Sequence, residues 1–364
     1  MENSFYKISK TVSSLSAYTP GEQPKGGGWT KLNTNEFPYP PSPKVREAIL
    51  QELGDDCAAL RLYPAPLSDR LRAEVANFYG VEPKNAIGGN GSDDVLNLVM
   101  RAFGDENLKV AAMNPSYSLY PVLSKMQGAE LLELDFECGL KLPLEKIVSS
   151  GANVFILTNP NAPLGVAFSD SEVEYLADNF KGLFVIDEAY APFSGKTFSK
   201  FAASRKNVLC VGTSSKGWGL AGMRVGWAVG DEDIIKTLDV VRDSYNIDRL
   251  ACAAAVAALR DSNYYENARR RVVESREDIE KFFGEMGWNY VKSSSNFVFV
   301  RPNKKGLSPA QAAKSYFEFL KADKILVRFW PNDKKICDGL RITVGTPSDM
   351  QKLKESSIKW KNQE

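Results

Sequence analysis

The chain has 364 residues, with 46 Lys+Arg against 45 Asp+Glu, five cysteines and no histidine. That length suits roughly two domains of about 150 residues each, with enough buried surface to fold without a metal or disulfide staple. The missing histidine excludes Ser-His-Asp and Cys-His hydrolases, H-E-x-x-H zinc proteases and C2H2 fingers, and a net charge of +1 gives no bulk reason to expect nucleic acid or an anionic membrane as partner.

The start, Met1 to Tyr6, lacks the basic n-region and apolar core of a signal peptide. No 18-residue apolar run follows anywhere, so a soluble, cytoplasmic protein is expected. Lys25-Gly26-Gly27-Gly28 reads as a loop ahead of Trp29 and Thr30. Ser42-Pro43 opens a helix with Gly54 beyond its end. Strands are expected at 109–113, 130–135, 153–158, 182–187, 208–213 and 225–229. They are apolar without alternation, as in Val154-Phe155-Ile156-Leu157, which is how strands covered on both faces of a mainly parallel sheet read. Between them, Ser169-Asp170-Ser171-Glu172 is a capping box. Strands separated by helices argue for crossovers in an α/β sheet.

From about Ile247 the rhythm changes to long helices over 251–260 and 263–286. Shorter strands follow at 297–301, 325–329 and 340–344, then a last helix after Pro347. The expected fold is therefore α/β: a large domain over 38–247 with a mostly parallel central sheet between helices, and a smaller α+β domain from 1–37 and 248–364 with an N-terminal arm. The basic run Arg269-Arg270-Arg271 is answered by Glu266, Glu274, Glu277 and Asp278 and reads as a solvated helix face. The cysteines are scattered and never spaced C-x-x-C, which points to free thiols in a reducing compartment and no metal site.

Two motifs are decoys. Gly195-Lys196-Thr197 imitates the end of a P-loop, but Tyr190 stands where its first glycine belongs. No G-x-G-x-x-G follows a strand with an acid some twenty residues on.

Four segments carry chemistry. Gly89-Asn90-Gly91-Ser92-Asp93-Asp94 leads into an apolar helix, and its backbone N–H groups suit a phosphate; a plain Ser or Asp N-cap explains it equally well. Asp187 ends a strand ahead of Glu188-Ala189-Tyr190, at the edge where open α/β sheets bind ligands, although a turn aspartate is the competing reading. Lys216 follows Thr213-Ser214-Ser215 and precedes small residues and Arg224. A lone lysine after a strand is usually at the surface; in this setting the amine can be desolvated into a nucleophile and base, its pKa lowered by burial and by Arg224, while Ser215 and Arg224 suit a phosphate. Arg341 lies inside an apolar strand and needs either a partner carboxylate or an anionic ligand. An amine for an imine, a carboxylate for a pyridine nitrogen, a phosphate cradle and an arginine for a substrate carboxylate together describe pyridoxal 5'-phosphate (PLP) chemistry.

On these segments the chain resembles the fold-type-I, class II PLP-dependent aminotransferases. The likeness also runs through Asn114-Pro115-Ser116-Tyr117 and Asn159 to Gly165; the lysine segment and Leu340 to Thr346 are specific to the wider class, while Tyr18-Thr19-Pro20-Gly21-Glu22 and Leu326-Val327-Arg328 narrow it to the histidinol-phosphate aminotransferase branch. The resemblance implies that Lys216 holds PLP covalently and moves the proton between the α-carbon and C4', that Asp187 pairs with the ring nitrogen, and that Tyr190 bonds the ring O3'. It further implies that Tyr117 stacks on the ring and that Ser92, Asp93, Thr213, Ser215 and Arg224 hold the phosphate. Tyr63 would reach the cofactor of a second subunit in a homodimer. Arg341, assisted by Tyr18, Asn35 and Arg328, would bind the glutamate carboxylate and the substrate phosphate. Ala162 stands where the family commonly has the Asn that partners O3', so Asn161 is the substitute, or Tyr190 serves alone.

The reaction so implied is ping-pong transamination between glutamate/2-oxoglutarate and histidinol phosphate/imidazole acetol phosphate, in histidine biosynthesis. Its rivals are an aromatic aminotransferase and a threonine-phosphate decarboxylase on the same scaffold. A non-catalytic PLP-binding regulatory module would add a DNA-binding domain, for which a likeness starting at Tyr18 leaves no room.

Overall fold

In a computed structural model, which describes residues 8–13, 15 and 21–363, the strands are β1 (Thr30–Leu32), β2 (Ala86–Gly89), β3 (Lys109–Asn114), β4 (Glu130–Asp135), β5 (Val154–Thr158), β6 (Leu183–Asp187), β7 (Val208–Thr213), β8 (Gly226–Gly230), β9 (Asn289–Val291), β10 (Phe297–Arg301), β11 (Ile325–Phe329) and β12 (Leu340–Thr343). Seven form one sheet in the order β2-β8-β7-β6-β5-β3-β4. The pairs from β4 to β7 are parallel, and β8 is antiparallel to both its neighbours, so β8 alone runs against the rest.

The missing alternation now has a cause. Val110, Ala112, Val154, Ile156 and Val185 pack on one face with helix Ser92–Phe103. Their neighbours Ala111, Met113, Phe155, Leu157, Phe184 and Ile186 pack on the other with helix Asp170–Asn179. Successive side chains point to opposite faces, and both faces are covered.

Helix ends follow local chemistry. Ser42 accepts from the Lys44 N–H ahead of Pro43–Leu53, and Gly54 closes that helix at φ 63°. Ser169 and Glu172 make the reciprocal bonds of a capping box.

The second sheet has the order β1-β11-β12-β10-β9, with β1 parallel to β11 and the rest antiparallel. Helices Ser262–Glu285, Pro309–Ala322 and Pro347–Asn362 cover it, burying Phe283, Tyr316, Leu353 and Trp360. The sequence reading places the boundary after residue 247. Helix Arg249–Arg260 buries Ala251, Ala255 and Leu259 against Leu71, Ala86 and Trp227 of the large-sheet unit. Helix Ser262–Glu285 contributes to both cores: its Tyr265 packs in that same cluster, while Val272, Ile279 and Phe283 pack in the small-sheet core. The triplet at 269–271 splits: Arg269 pairs with Glu266 at 2.8 Å, and Arg271 lies 3.9 Å over the Tyr39 ring.

Candidate active site

Asn114, Thr158, Asp187 and Thr213, the last residues of β3, β5, β6 and β7, line one cavity of about 410 Å³. Its size lies within the ~300–1,000 Å³ of small-molecule sites, and its place outside the carboxyl ends of parallel strands is where such sheets bind ligands. Of the residues singled out in the sequence, Asn35, Ser92, Asp93, Tyr117, Asp187, Tyr190, Thr213, Ser215, Lys216, Arg224, Arg328 and Arg341 all face it.

Lys216 lies in the single helical turn Ser214–Gly217, whose N-cap Thr213 accepts from the Ser215 N–H at 3.2 Å. The Lys216 Nζ donates to the Thr34 carbonyl at 3.1 Å. Removal from solvent pulls its pKa down to about 8, helped by the cation of Arg341 and only weakly by Arg224. The expected helper was Arg224; the larger one is Arg341.

Asp187 is buried and accepts from the Tyr120 hydroxyl at 2.7 Å and the Ala189 N–H at 3.1 Å. Burial lifts its pKa to about 6, and the Tyr120 bond opposes that rise. The Tyr190 hydroxyl accepts from Asn35 Nδ2 at 2.9 Å, and its ring packs edge-on to Phe297. Asn35 is held in the left-handed region, φ 55°, with Thr343 bonded to both its backbone N–H and its Oδ1.

An anion cradle closes the other end. The strand β8 brings Gly226 so close to the Ser92 backbone that a Cβ there would collide with it, and a Cβ on Gly91 (φ +88°) would lie 2.5 Å from the Arg224 guanidinium. Two glycines thus let the start of helix Ser92–Phe103 and Arg224 meet, where first-turn N–H groups lack intrahelical acceptors. Asp93 joins the group, 3.4 Å from Arg224 and accepting from the Tyr117 hydroxyl at 3.1 Å. On the small-sheet side Arg328 and Arg341 are direct cross-strand partners. Both guanidinium groups lie over the Trp330 ring, at 5.3 and 5.4 Å, and Arg341 also donates to the Asn33 carbonyl at 2.8 Å. Like charges set opposite each other oppose folding, which suits a site that takes an anion.

A phosphate cradle, a buried carboxylate and an amine of lowered pKa in one cavity fit the three polar ends of PLP: its phosphate, its ring nitrogen and its aldehyde. Among the described residues no cluster of His, Cys, Asp and Glu could hold a metal, and no helix is long and apolar enough to cross a membrane.

Two expected positions, Asn161 and Tyr63, do not line this cavity. Asn161 is fully buried and outside the cavity wall. Its Nδ2 donates to the Pro115 carbonyl at 3.2 Å and its Oδ1 accepts from the Leu164 N–H at 3.2 Å, so both ends of its amide hold the backbone around it. Tyr63 is 78% exposed, stacked on Tyr245 at 4.5 Å and away from the cavity of its own chain. Tyr18 lies outside the described residues. Sequence reading missed Tyr120 and Trp330. Tyr120 stands three positions after Tyr117, a spacing that repeats about once per helical turn, and Trp330 follows Arg328 by two, the same-face spacing of a strand.

Beside Asp187, Glu188 faces away from the cavity, accepting from the Phe198 N–H at 2.5 Å, the Thr197 hydroxyl at 2.6 Å and the Ser199 hydroxyl at 3.1 Å. Burial lifts its pKa to about 7. A carboxyl whose pKa is raised by folding contributes stability at low pH that is lost as pH rises through the folded value. The cofactor-free protein is therefore expected to melt at progressively lower temperature between about pH 5 and pH 8. Glu188→Gln should flatten that slope, whatever its effect on the absolute melting temperature; an equal slope in thermal melts across that range counts against the assignment.

Residues 28–356 match the family described as aminotransferase class I and II. A histidinol-phosphate aminotransferase of Geotalea daltonii is 41% identical over 95% of this chain and 97% of its own length. That of Geobacter sulfurreducens is 41% identical over 93% and 95%. Among solved structures, a Sinorhizobium meliloti histidinol-phosphate aminotransferase in complex with pyridoxal-5'-phosphate superposes with a TM-score of 0.88 at 24% identity, covering 99% of both chains. The family match covers both sheets and every cavity residue named here: this chain belongs to the class I and II aminotransferases.

Proposed function

We propose that the protein is a PLP-dependent histidinol-phosphate transaminase that takes an amino group from glutamate and delivers it to imidazole acetol phosphate. When bound, PLP supplies an aldehyde for attachment of an amine and a pyridinium ring that spreads the electron pair left on the α-carbon. The observation that carries the reading is the shared cavity of Lys216, its pKa drawn to about 8, and Asp187, buried at the end of β6. Lys216 would hold the cofactor and, once displaced by the substrate amine, carry the proton from the α-carbon to C4'. Asp187 would keep the ring nitrogen protonated, Tyr190 would donate to O3', and Tyr117 would cover one ring face. The Ser92 and Asp93 amides, Thr213, Ser215 and Arg224 would hold the phosphate.

Arg341 would take the glutamate carboxylate, and the Arg328–Arg341 pair a substrate phosphate, with Asn35 beside them. Two opposed guanidinium groups favour a dianionic phosphate ester over an uncharged aromatic side chain. We place Tyr63 at a homodimer interface, supported by its neighbours Leu62 and Tyr245, 53% and 44% exposed. The unit boundary inside helix Ser262–Glu285 and a reducing, cytoplasmic setting for five free cysteines complete the reading.

Spectral titration of the PLP-loaded protein tests it. Glutamate and histidinol phosphate should each convert the cofactor chromophore in single turnovers, and phenylalanine should be slower by at least about tenfold, as expected from loss of one charge-assisted contact. Faster conversion by phenylalanine, or carbon dioxide release from phosphothreonine, would replace this reading with one of its rivals.

A further inference from the structure

We propose that Tyr120 is a positioning residue for the proposed cofactor site, the last donor of a hydroxyl relay that holds Asp187 ionised toward the ring nitrogen. The inference rests on the reading of Asp187 given above. Tyr120 is buried and directs its hydroxyl to Asp187 Oδ2 at 2.7 Å. The Tyr120 hydroxyl oxygen also lies 2.7 Å from Thr158 Oγ1, which lies 3.1 Å from Ser116 Oγ. Each hydroxyl has one proton to give, and an ionised carboxylate only accepts. With Asp187 ionised, the direction of the whole chain is fixed: Ser116 donates to Thr158, Thr158 to Tyr120, and Tyr120 to Asp187. Bonds aligned this way polarise one another and are stronger in a buried, low-dielectric site than in water.

Chemistry on either side of the relay fits this role. Burial raises the Tyr120 pKa well above 10, so it stays a donor throughout the working range. Its ring meets that of Tyr117 edge-on at 5.6 Å, so one side chain braces both the acid meant for the ring nitrogen and the aromatic meant for the ring face. The other charges acting on Asp187 pull in opposite senses, Asp93 raising its pKa and Lys216 lowering it, and the carboxyl of Glu188 lies behind it. Against the rise that burial causes, Tyr120 is the side-chain donor whose bond favours the carboxylate.

The test is a pH titration of the absorbance of PLP-loaded wild type, Tyr120→Phe and Thr158→Val, with PLP dissociation constants measured in parallel. Phenylalanine keeps the ring and removes only the relay's last donor. Without that donor the carboxylate is less stabilised and takes more of the shared proton from the ring nitrogen, which leaves more basic the nitrogen through which Lys216 would be attached. The absorbance midpoint should therefore move up by about 0.5–1 pH unit in Tyr120→Phe, the scale of one hydrogen bond to a charged group. Thr158→Val should move it the same way by less, and PLP should bind several-fold more weakly to Tyr120→Phe. A purely structural tyrosine would lower the melting temperature and leave the midpoint in place. A folded, loaded Tyr120→Phe with an unchanged midpoint overturns the proposal. Should that variant not fold, an unchanged midpoint in Thr158→Val overturns it instead. Wild-type protein that retains no PLP overturns the cofactor reading itself, and the relay's role with it.

Discussion

Lys216→Ala is expected to yield folded protein that retains no covalently held PLP, lacks the long-wavelength absorbance of the loaded enzyme and turns over at least about 10⁴-fold more slowly. Two losses combine. Among the described residues that line the cavity, Lys216 is the amine whose pKa is drawn toward neutrality, to about 8. At pH 7 about a tenth of it is uncharged, against less than about one part in a thousand for an ordinary lysine. The same group is the proposed proton carrier, and a positioned base is typically worth about 10²–10⁴ in rate. Lys216→Arg keeps the charge and the bulk but offers no neutral amine, so it should fail alongside alanine. Ordinary turnover by either variant would falsify the assignment.

The electrostatics give that result a pH signature. Only the neutral amine attacks an aldehyde, so capture of PLP by the cofactor-free protein should accelerate with pH and level off above about 8. Arg341 is the largest like-charge contribution to the lowered value. Replacing it with leucine should leave burial in place, raise the Lys216 pKa and move the capture profile to higher pH. Stopped-flow absorbance at several pH values reads both effects. A leucine variant with an unshifted profile would mean that burial alone sets the amine's pKa.

Much of this was legible in the chain because it is local. Both-face burial writes itself into runs such as Val154-Phe155-Ile156-Leu157, and β4, β7, β10 and β11 begin and end where the pattern places them. Caps at Ser42 and Ser169 need only neighbours a few residues away. What escaped is non-local. The three residues of β1 are a strand only because Ile325–Val327 pairs with them, almost 300 residues on. Ala86-Ile87-Gly88-Gly89 reads as the approach to a turn, yet it is the edge strand β2, its glycines small because a Cβ on Gly88 would strike Ile247 and Leu71. The alanine-rich face of helix Arg249–Arg260 fits either unit by pattern, and only the packing against Trp227 and Leu71 decides. At the site, residue types named the chemistry, but hydrogen-bond directions did not follow from them. Asn161 was drawn in by a neighbouring substitution and turns out to brace its own loop. Tyr120 carries no motif, and its meaning comes from lying 2.7 Å from Asp187.

Asp187→Ala should separate cofactor retention from catalysis. Lys216 and the Arg224 cradle are untouched by the change, so PLP should still bind and still be held covalently. Turnover should fall by about 10²–10⁴, because a buried charge pair that loses one member forfeits about 3–5 kcal/mol and here the pair forms around the ring that receives the α-carbon's electrons. The loss should fall on kcat, with KM for glutamate changing far less, since Arg341 and not Asp187 is the proposed partner of the substrate carboxylate. The stability prediction runs the other way. A folded pKa of about 6 against an ordinary value of 3.8 means that wild-type protein without cofactor loses stability as pH rises toward 6 and beyond. Asp187→Asn removes that ionisation while keeping the side chain's shape and an acceptor for Tyr120. Cofactor-free Asp187→Asn should therefore gain in melting temperature relative to wild type as pH goes from 4 to 8, even as its turnover collapses. A residue retained for packing alone would show the reverse: rates near normal and a melting temperature that drops equally at both ends of the pH range.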